Sequence, residues 1–592
     1  MAFVVDASAE TGRLPHFWKS TGFTPPGLLI DDTSMRVQMA HFDGVPMAGV
    51  EWVRVHDLLT LVKVEKMTAA TPRYDWSGLD AALDAIRDAG MKPFFEVMGS
   101  PQGWTFSDAL NDRQVAIWRR FVGDMARHLI ERYGASEVRS WYFEVWNEPD
   151  VHPWFNHPWA EDDVAGLIRY YDATSAGLVD ADPELRFGGP GTAEQLSTMF
   201  TGLMKHLDTG TNHLTGQSPP RCDFISIHVK GGDPSPTPKD PSMDAILDGQ
   251  RELHDYLVEH HPRLAELPLI NNECDPLVGW SHDHHWRGGA YYASFVARLI
   301  ERQLQEAVRG PADFVLMSND HGFLGGWGRR SVMVPFDSVD DDGASGGVSM
   351  VKKPVLEGMA MLSLLGDRTL AASRKEGAAA VTCLASVTSA GDLVLMVTHH
   401  DDDSSATGEA SVAIEIQHGN PAWSRQTTLR IDAEHTNPRA VWAAAGAPQL
   451  PDAEVLHAMR EAAEMDADVS SAPAAGESIH LNVPMHGVAL VVLSRDPGRV
   501  PTMPHGLEAE VVAGLYGPEL LVRWEDAGDA RKLAGYRVEA VTPTGVVTLS
   551  ETMPLSTAVV RPLPSGTDRV RVFAVDAWGR VGEAASVPVE HD

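Results

Sequence analysis

Several features that mark specialised protein classes are scarce in this sequence of 592 residues. Its three cysteines, Cys222, Cys274 and Cys383, are too few and too scattered for a disulfide framework or a four-thiolate zinc site. The longest apolar runs, such as Gly487 to Leu493, fall far short of the roughly 20 residues that span a bilayer. Gly and Pro occur at ordinary frequency, which excludes a collagen or a low-complexity polymer. The sequence therefore predicts a globular chain whose fold depends on packing.

Basic residues are also scarce, because 48 Lys and Arg face 82 Asp and Glu and leave a formal net charge of -34. This charge repels nucleic-acid phosphates and anionic lipid headgroups, so we expect neither a nucleic-acid nor a membrane partner. The segment from Met1 to Ser8 has no basic region followed by a long apolar stretch. We therefore expect no secretory signal and a cytoplasmic location, while the oligomeric state stays open.

Short β-branched or aromatic runs alternate with helical patterns through about residue 365. Eight candidate strands match the number in a closed α/β barrel of the (β/α)8, or TIM, type, which we expect over residues 16–365. The candidate strands are Ser20 to Phe23, Glu51 to His56, Lys92 to Val97, Ser140 to Asn147, Leu185 to Gly189, Phe224 to His228, Leu269 to Glu273 and Phe314 to Ser318. The candidate helices are Ser77 to Ala89, Arg113 to Tyr133, Asp162 to Asp180, Met243 to His260 and Gly289 to Gln305.

After residue 365 the pattern changes to short strands, which predicts an antiparallel β-sandwich over residues 366–497 that residues 1–15 join. One helix, Asp452 to Met465, and a surface loop of small residues, Ser470 to Gly476, interrupt it. Residues 498–592 contain the period-two run Arg569 to Val575, with Trp524 and Tyr536 on neighbouring strands. These features predict a fibronectin-type-III-like β-sandwich with a packing role.

The sharpest local signal is the run from Ser140 to Asp150, which reads Ser-Trp-Tyr-Phe-Glu-Val-Trp-Asn-Glu-Pro-Asp. Proline cannot continue a sheet ladder, so the strand is expected to stop and to place Glu148 at the C-terminal mouth of the barrel, where barrel active sites lie. Strand alternation would send Asn147 and Glu148 to different sides. A solvated carboxylate at a strand end is the alternative.

A second carboxylate, Glu273, follows the apolar end of the seventh strand and is also expected at the mouth. Cleavage of a glycosidic bond requires two such groups, because one protonates the leaving oxygen while the other stabilises or attacks the anomeric carbon. The pair therefore indicates a glycosidase. A carbohydrate-binding protein without turnover is the alternative from another class.

Six motifs resemble those of the α-L-iduronidases, in the glycoside hydrolase family shared with β-xylosidases. They are Phe17 to Pro26, Val53 to His56, Trp146 to Asp150, Ile227 to Gly231, Asn272 to Trp280 and Ser318 to Asp320. The resemblance runs the whole length of the chain. It implies exo-acting, retaining cleavage of terminal α-L-iduronate from glycosaminoglycan-type oligosaccharides, without a cofactor. Glu148 is then the general acid/base and Glu273 the nucleophile, with carboxyl groups about 5 to 5.5 Å apart.

The resemblance also implies the sugar contacts. The implied substrate-binding residues are Arg54, His56, Asn147, Lys230, Gly279, Trp280, Asp320 and Arg330. Asn147 is implied to bind the sugar 2-hydroxyl, and Lys230 and Arg330 are placed to bind the C5 carboxylate, which a xyloside lacks. A surface position for these two cations would instead favour a β-xylosidase. Structural roles are also open for three residues: His56 as a barrel histidine, Trp280 in core packing and Asp320 in orienting Arg330.

The proposed chemistry sets requirements on charge and on metals. Glu148 must enter the cycle protonated and Glu273 anionic, so we expect their neighbours to separate the two pKa values. The runs His399 to Asp403, His282 to His285 and Asp340 to Gly343 could bind a divalent ion, but each is expected to be a solvated loop. Two carboxyl groups and water complete the reaction, so no metal is expected.

Two departures from the family concern the pocket rim. Val334 to Gly343 contains no Asn where animal members carry a glycosylation site, and Gly27 to Ile30 lacks a histidine associated with iduronidases. We therefore expect the rim to differ at both places.

Overall fold

The computed structural model describes residues 1–23, 25–66, 72–104, 110–152, 157–232, 241–279, 281–307, 314–339, 345–377, 379–474 and 476–590. The strands through residue 319 are β1 (Ala2–Arg13), β2 (Ser20–Phe23), β3 (Trp52–Val55), β4 (Lys63–Lys66), β5 (Arg73–Asp75), β6 (Lys92–Glu96), β7 (Tyr142–Glu144), β8 (Arg186–Thr192), β9 (Ile225–Ile227), β10 (Leu269–Asn271) and β11 (Phe314–Asn319). The helices are α1 (Leu28–Asp31), α2 (Thr33–Asp43), α3 (Ser77–Asp88), α4 (Asp112–Tyr133), α5 (Ala135–Val138), α6 (Val164–Ala181), α7 (Thr198–Thr209), α8 (Met243–His260), α9 (Pro262–Ala265) and α10 (Ala290–Ala307). Short 3-10 helices span Leu58–Leu61 and His285–Gly288.

Within the described ranges, eight parallel strands close a barrel in the order β2, β3, β6, β7, β8, β9, β10, β11 and back to β2. The predicted barrel is confirmed, with strand ends moved by a few residues. Strand alternation fills its interior in layers. The lower layer contains Phe94, Tyr142, Phe224, Ile270 and Leu316. Two residues further along the same strands lie the buried polar residues Glu96, Glu144, Ser226, Asn272 and Ser318. The barrel therefore has an apolar floor and a polar upper layer.

The next strands are β12 (Met333–Val339), β13 (Ser345–Lys352), β14 (Arg368–Glu376), β15 (Val381–Val387), β16 (Leu393–His399), β17 (Glu409–Gln417), β18 (Trp423–Ile431), β19 (Asp468–Ser471), β20 (Ile479–Pro484) and β21 (Gly487–Arg495). The helices are α11 (Pro354–Ser363), α12 (Pro438–Ala444) and α13 (Ala453–Ala462). Strand β19 includes Ser470 and Ser471, so the predicted surface loop is wrong at its start.

The predicted sandwich is one sheet in the described residues, ordered β19, β18, β21, β16, β15, β14, β1, β17, β20. A 2.9 Å contact between His399 Nδ1 and the Val483 carbonyl joins β16 to β20, although four strands separate them in the sheet. The sheet thus folds back over one apolar core. Its pairs are antiparallel except β1 with β17, which is parallel.

The last strands are β22 (His505–Gly514), β23 (Gly517–Glu525), β24 (Leu533–Thr542), β25 (Gly545–Thr548), β26 (Ala558–Pro562), β27 (Arg569–Asp576) and β28 (Ala585–Pro588), with a 3-10 helix at Ala530–Lys532. They form sheets of three and four strands, counted over the described residues, and the rings of Trp524 and Tyr536 lie 5.2 Å apart. The fibronectin-type-III assignment and the domain limits stay predictions. No helix in the described part of the chain is long and apolar enough to cross a membrane.

A buried ionic cluster joins the barrel to the two later regions, and we call it the junction cluster: His41, Lys352, Glu357, Glu464 and Arg561. Lys352 pairs with Glu357, and its Nζ lies 2.6 Å from Glu464 Oε2. Arg561 Nη2 lies 3.0 Å from the other oxygen of Glu464. Each of these side chains is at most 4% exposed, so the ion pairs are shielded from water.

Candidate active site

Arg54 is the centre of the charged layer at the barrel mouth. Its Nε lies 2.9 Å from Glu144 Oε2, its Nη1 lies 2.9 Å from Glu273 Oε1, and its Nη2 lies 2.7 Å from Glu96 Oε1. Nη2 also donates to Asn147 Oδ1 at 2.9 Å. Burial alone would lower the pKa of Arg54, but the surrounding carboxylates outweigh it and raise that pKa. Arg54 therefore holds Glu273 and Asn147 in fixed positions.

Glu148 reaches the site through a turn of the backbone. Strand β7 ends at Glu144, so Asn147 and Glu148 lie beyond it and the predicted strand alternation between them is wrong. The φ of Glu148 is +47°, in the left-handed region that non-glycine residues rarely adopt. Its N–H donates to the Gly191 carbonyl at 2.9 Å, and its own carbonyl accepts from His157 Nε2 at 3.1 Å. This turn directs the carboxyl group toward the site.

The two predicted catalytic carboxyl groups face each other. One oxygen of Glu148 and one oxygen of Glu273 lie within 4.8 Å of each other. Lys230 bridges the pair, since its Nζ is 2.5 Å from Glu273 Oε2 and 3.5 Å from Glu148 Oε1. The side chains of Glu148 and Glu273 are 16% and 4% exposed. This spacing suits a retaining mechanism, because inverting enzymes need about 6.5 to 9.5 Å for a water molecule.

The neighbouring charges separate the pKa values of Glu148 and Glu273 only in part. Burial raises the pKa of Glu273, but His228, Lys230 and Arg54 outweigh burial and hold that pKa well below its usual value. Burial and Glu273 also raise the pKa of Glu148, yet Lys230 and His228 leave it lowered. Glu273 is therefore anionic as expected. The acid expected at Glu148 is not protonated by the ligand-free site itself.

His228 lies between Glu148, the predicted general acid, and Arg54 of the charged layer. Its Nε2 lies 3.3 Å from Arg54 Nη2. Its Nδ1 donates to Glu148 Oε1 at 3.0 Å. Since Oε1 accepts this bond and lies near Lys230, the second oxygen of Glu148 is the one left to carry the catalytic proton.

His56 and Asp320 lie next to the nucleophile, directly after β3 and β11, which pack on either side of β2 in the barrel. Burial lowers the pKa of His56, but Glu96, bonded to Nδ1 at 2.8 Å, raises it to about 9. Burial and the nearby Glu273 raise the pKa of Asp320 to about 7. A Cβ at Gly22 on β2 would lie 2.3 Å from Asp320 Oδ1, so the glycine makes room for this carboxyl group.

Arg330 is buried next to this group and pairs with Asp275, while its Nη2 lies 3.6 Å from Asp320 Oδ2. Lys230 and Arg330 are therefore parts of the buried site and not surface cations. Gly279 lies in the loop after Glu273, with a φ of +90°. Its sugar contact stays a prediction. Trp280 lies outside the described residues.

Metal-ligating groups occur in the site, in two trios that share Glu273: His56, Glu273 and Asp320, and Glu148, His228 and Glu273. Glu273 already binds Arg54 and Lys230, so a divalent ion would compete with these cations. The predicted solvated loops are corrected in part, because His284, His399 and His400 are buried. Asp340 to Gly343 lies outside the described residues.

Five polar residues of the site were not predicted: Glu96, Glu144, His228, Asn272 and Asp275. A signal for most of them is present in the sequence. Glu96 and Glu144 follow Phe94 and Tyr142 by two residues, and His228 follows Phe224 by four. Period-two counting from an inward aromatic residue therefore identifies positions that face the barrel interior.

In sequence and in structure, the chain is similar to known glycoside-cleaving enzymes. The model of the glycosyl hydrolases family 39 matches residues 1–478. The α-L-iduronidase of Homo sapiens is 31% identical over 98% of this chain and 91% of its own length. A crystal structure of a bacterial orthologue of human α-L-iduronidase is 36% identical, with a TM-score of 0.92 over 99% of both chains. A monomeric β-xylosidase from Caulobacter crescentus CB15 is 19% identical, covers 83% of this chain and 99% of its own, and has a TM-score of 0.65, which shows a shared fold.

Proposed function

Because the chain belongs to family 39 of the glycosyl hydrolases, we propose that it is a retaining exo-glycosidase that removes terminal α-L-iduronate. The observation that carries the proposal is the combination of two facing carboxyl groups with two buried cations, Lys230 and Arg330. A neutral sugar does not require such cations, whereas a desolvated carboxylate does. The iduronidases similar to this chain support the same substrate.

The reaction proceeds in two displacements. In the first, Glu273 attacks the anomeric carbon while Glu148 protonates the leaving oxygen, so the aglycone departs and a glycosyl ester forms on Glu273. In the second, Glu148 takes a proton from water, which attacks the same carbon and releases the sugar with its configuration retained. Asn147 accepts from Arg54 through Oδ1, which leaves its amide N–H groups for the sugar 2-hydroxyl.

The substrate itself completes the protonation of Glu148. A uronate carboxylate bound to Lys230 adds negative charge beside Glu148 and offsets the cation that lowers its pKa. The pKa of the acid therefore rises when the correct sugar binds. Esterification then removes the negative charge of Glu273, one of the groups that raise the pKa of Glu148, so the same residue becomes a base.

A pair of aryl glycosides tests the substrate. We expect kcat/KM to be higher on an aryl α-L-iduronide than on an aryl β-D-xyloside, which represents the β-xylosidase alternative. Arg330→Gln should reduce kcat/KM on the iduronide by about 10- to 100-fold, because a charged hydrogen bond to the C5 carboxylate is lost, and reduce it much less on the xyloside. Arg330 is a sharper probe than Lys230, which also contacts both catalytic carboxyl groups.

Arg329→Gln is the matched control, because the neighbouring Arg329 pairs with the exposed Asp283 outside the site. It should leave both substrates nearly unaffected. Equal losses on both sugars in Arg330→Gln would contradict uronate recognition by this cation.

Substrate size and location complete the proposal. The net charge of -34 slows encounter with a long sulfated chain, so short or desulfated fragments are the proposed substrates. Faster turnover of intact polymer than of disaccharides would contradict this. The proposed cytoplasmic location is tested by fractionating the source cells.

A further inference from the structure

A cavity of about 320 Å3 lies at the end of the barrel opposite the catalytic mouth. Lys19 and His16 line it just before β2, and Leu365 lines it just after α11. Arg13 of β1 and Arg531 from the C-terminal region complete the wall. Two separate regions of the chain, residues 13–19 and Arg531, thus bring three basic side chains to one cavity, in a protein whose net charge is strongly negative.

Two of these cations have no carboxylate within ion-pairing distance among the described residues: Arg13 and Lys19. Burial lowers the pKa of the Lys19 ammonium, and only the more distant Glu51 opposes this effect. Glu51 is itself bound to Lys92 Nζ at 3.0 Å. Lys19 is therefore a partly dehydrated cation without a direct counter-charge.

The third cation, Arg531, is buried and only partly neutralised. Its Nε donates to Asp529 Oδ1 at 2.7 Å, and its Nη1 donates to the Leu365 carbonyl at 3.3 Å. Among the described residues of the cavity wall, Asp367 is the one carboxylate, and its Oδ2 accepts from the Ser389 N–H at 2.8 Å. Burial lowers the pKa of His16, so this ring adds no charge near neutral pH.

We propose that this cavity binds a small tetrahedral oxyanion, sulfate or phosphate. Three cations face two carboxylates, Asp367 of the wall and the Asp529 that pairs with Arg531, so the cavity keeps a net positive charge and favours an anion. Ammonium and guanidinium donors arriving from several sides suit tetrahedral oxygen atoms. A bound oxyanion would also relieve the mutual repulsion and the incomplete solvation of the three cations.

Binding at this position links the barrel, the nine-stranded sheet and the C-terminal region. A ligand that binds only the folded protein stabilises it in proportion to the logarithm of its concentration. Sulfate and phosphate should therefore raise the unfolding temperature more than sodium chloride or acetate at equal ionic strength. Glycosidase activity should not change, because the catalytic groups lie at the other end of the barrel.

Titration calorimetry and thermal unfolding of the full chain test the proposal, with sodium sulfate and sodium phosphate as probes and acetate as the carboxylate comparison. Lys19→Gln should weaken sulfate binding about tenfold, because a charge-assisted hydrogen bond is removed. Lys205→Gln is the control, since it removes the same charge from an exposed position on α7. Arg13→Gln is a second variant that weakens binding for the same reason.

Asp367→Asn provides a test with the opposite sign. It removes the negative charge of Asp367 from the cavity wall and keeps an oxygen to accept from Ser389, so sulfate should bind more tightly than in the unmodified protein. If sulfate and phosphate act no differently from acetate, or if Lys19→Gln behaves as Lys205→Gln does, the oxyanion site is disproved. A response to only one of the two ions would identify which oxyanion the cavity takes.

Discussion

The site at the barrel mouth and the junction cluster use the same residue types for different ends. In both, buried lysine and arginine side chains bind buried glutamates. At the junction, Lys352 and Arg561 bind opposite oxygens of Glu464, and the cluster is closed to water. At the mouth, Lys230 is shared between two carboxyl groups, and Glu148 keeps an exposed part. A charge cluster thus becomes reactive where one of its members is incompletely paired and reachable.

The histidine in each cluster shows the same contrast. His56 lies against Glu96, which raises its pKa to about 9. His41 donates from Nδ1 to the Val37 carbonyl, and burial together with Lys352 lowers its pKa to about 4. The first histidine is therefore charged and the second neutral at pH 7. Burial lowers the pKa of both histidines, but Glu96 outweighs it at the mouth, whereas Lys352 reinforces it at the junction.

The largest expected effect separates the two clusters by activity. Glu273→Gln should reduce kcat/KM by more than about 10,000-fold, because the nucleophile is lost, and Glu148→Gln by about 100- to 10,000-fold on substrates with poor leaving groups. Urea unfolding should show both variants folded. The kinetics of aryl glycoside hydrolysis measure both losses in kcat/KM. An active Glu273→Gln protein would contradict the assigned nucleophile.

The next largest effect distinguishes the junction cluster from the site at the barrel mouth by its contribution to the free energy of unfolding. Glu464→Gln removes the carboxylate that Lys352 and Arg561 share, so that Glu357 and Glu461 are their remaining charged partners, and it should reduce the free energy of unfolding by about 3 to 5 kcal/mol. The value of kcat/KM per folded molecule should change less than about twofold, since the cluster does not contact the site. Urea titration measures the loss, and Glu454→Gln on the exposed face of α13 is the control. A stability unchanged from the control would show that these ion pairs are dispensable.

A smaller effect concerns the stability of the folded protein at low pH. An unfolded histidine binds its proton near pH 6.5, whereas His41 binds it only near 4, so stability should fall as the pH drops through this window. The loss amounts to about 3 kcal/mol at most. His56 has the opposite sign, because the stability it contributes is lost as the pH rises through about 9.

Unfolding between pH 7 and pH 4 measures the effect of His41. His41→Gln keeps a donor for the Val37 carbonyl without a titrating group and should flatten the dependence on pH, whereas the exposed His505→Gln should not. An identical slope in both variants would assign the acid sensitivity to other groups.

The smallest expected effect is that of chelation. Arg54 and Lys230 occupy the oxygens of Glu273 that a divalent ion would need. Overnight dialysis against EDTA should therefore leave kcat/KM unchanged, and added Mg2+, Ca2+ or Zn2+ should not raise it. Recovery of activity by one of these ions after dialysis would overturn the interpretation of the site as metal-independent.

Much of the barrel could be predicted because its signals are local. The alternation of strand and helix patterns, the helix caps and the proline after Glu148 are signals that span a few residues. They predicted both carboxyl groups at the mouth of the barrel. The left-handed backbone of Glu148 has no such signal, so the relation between Asn147 and Glu148 was missed. The junction cluster joins Glu464 to Lys352 and Arg561, which lie 112 and 97 residues away from it along the chain, and no short-range pattern marks such contacts.

Strand β1 has a consequence for how the protein is made. It lies inside the nine-stranded sheet, between β14 and β17, which follow it by more than 350 residues. At a ribosomal rate of roughly 5 to 20 residues per second, this strand waits for roughly 20 to 80 seconds before its second neighbour emerges. During that time its hydrogen-bonding edges are unprotected. The barrel is therefore synthesised, and can close, while the first strand is still without its partners, so successful biogenesis depends on keeping one exposed ribbon from pairing elsewhere.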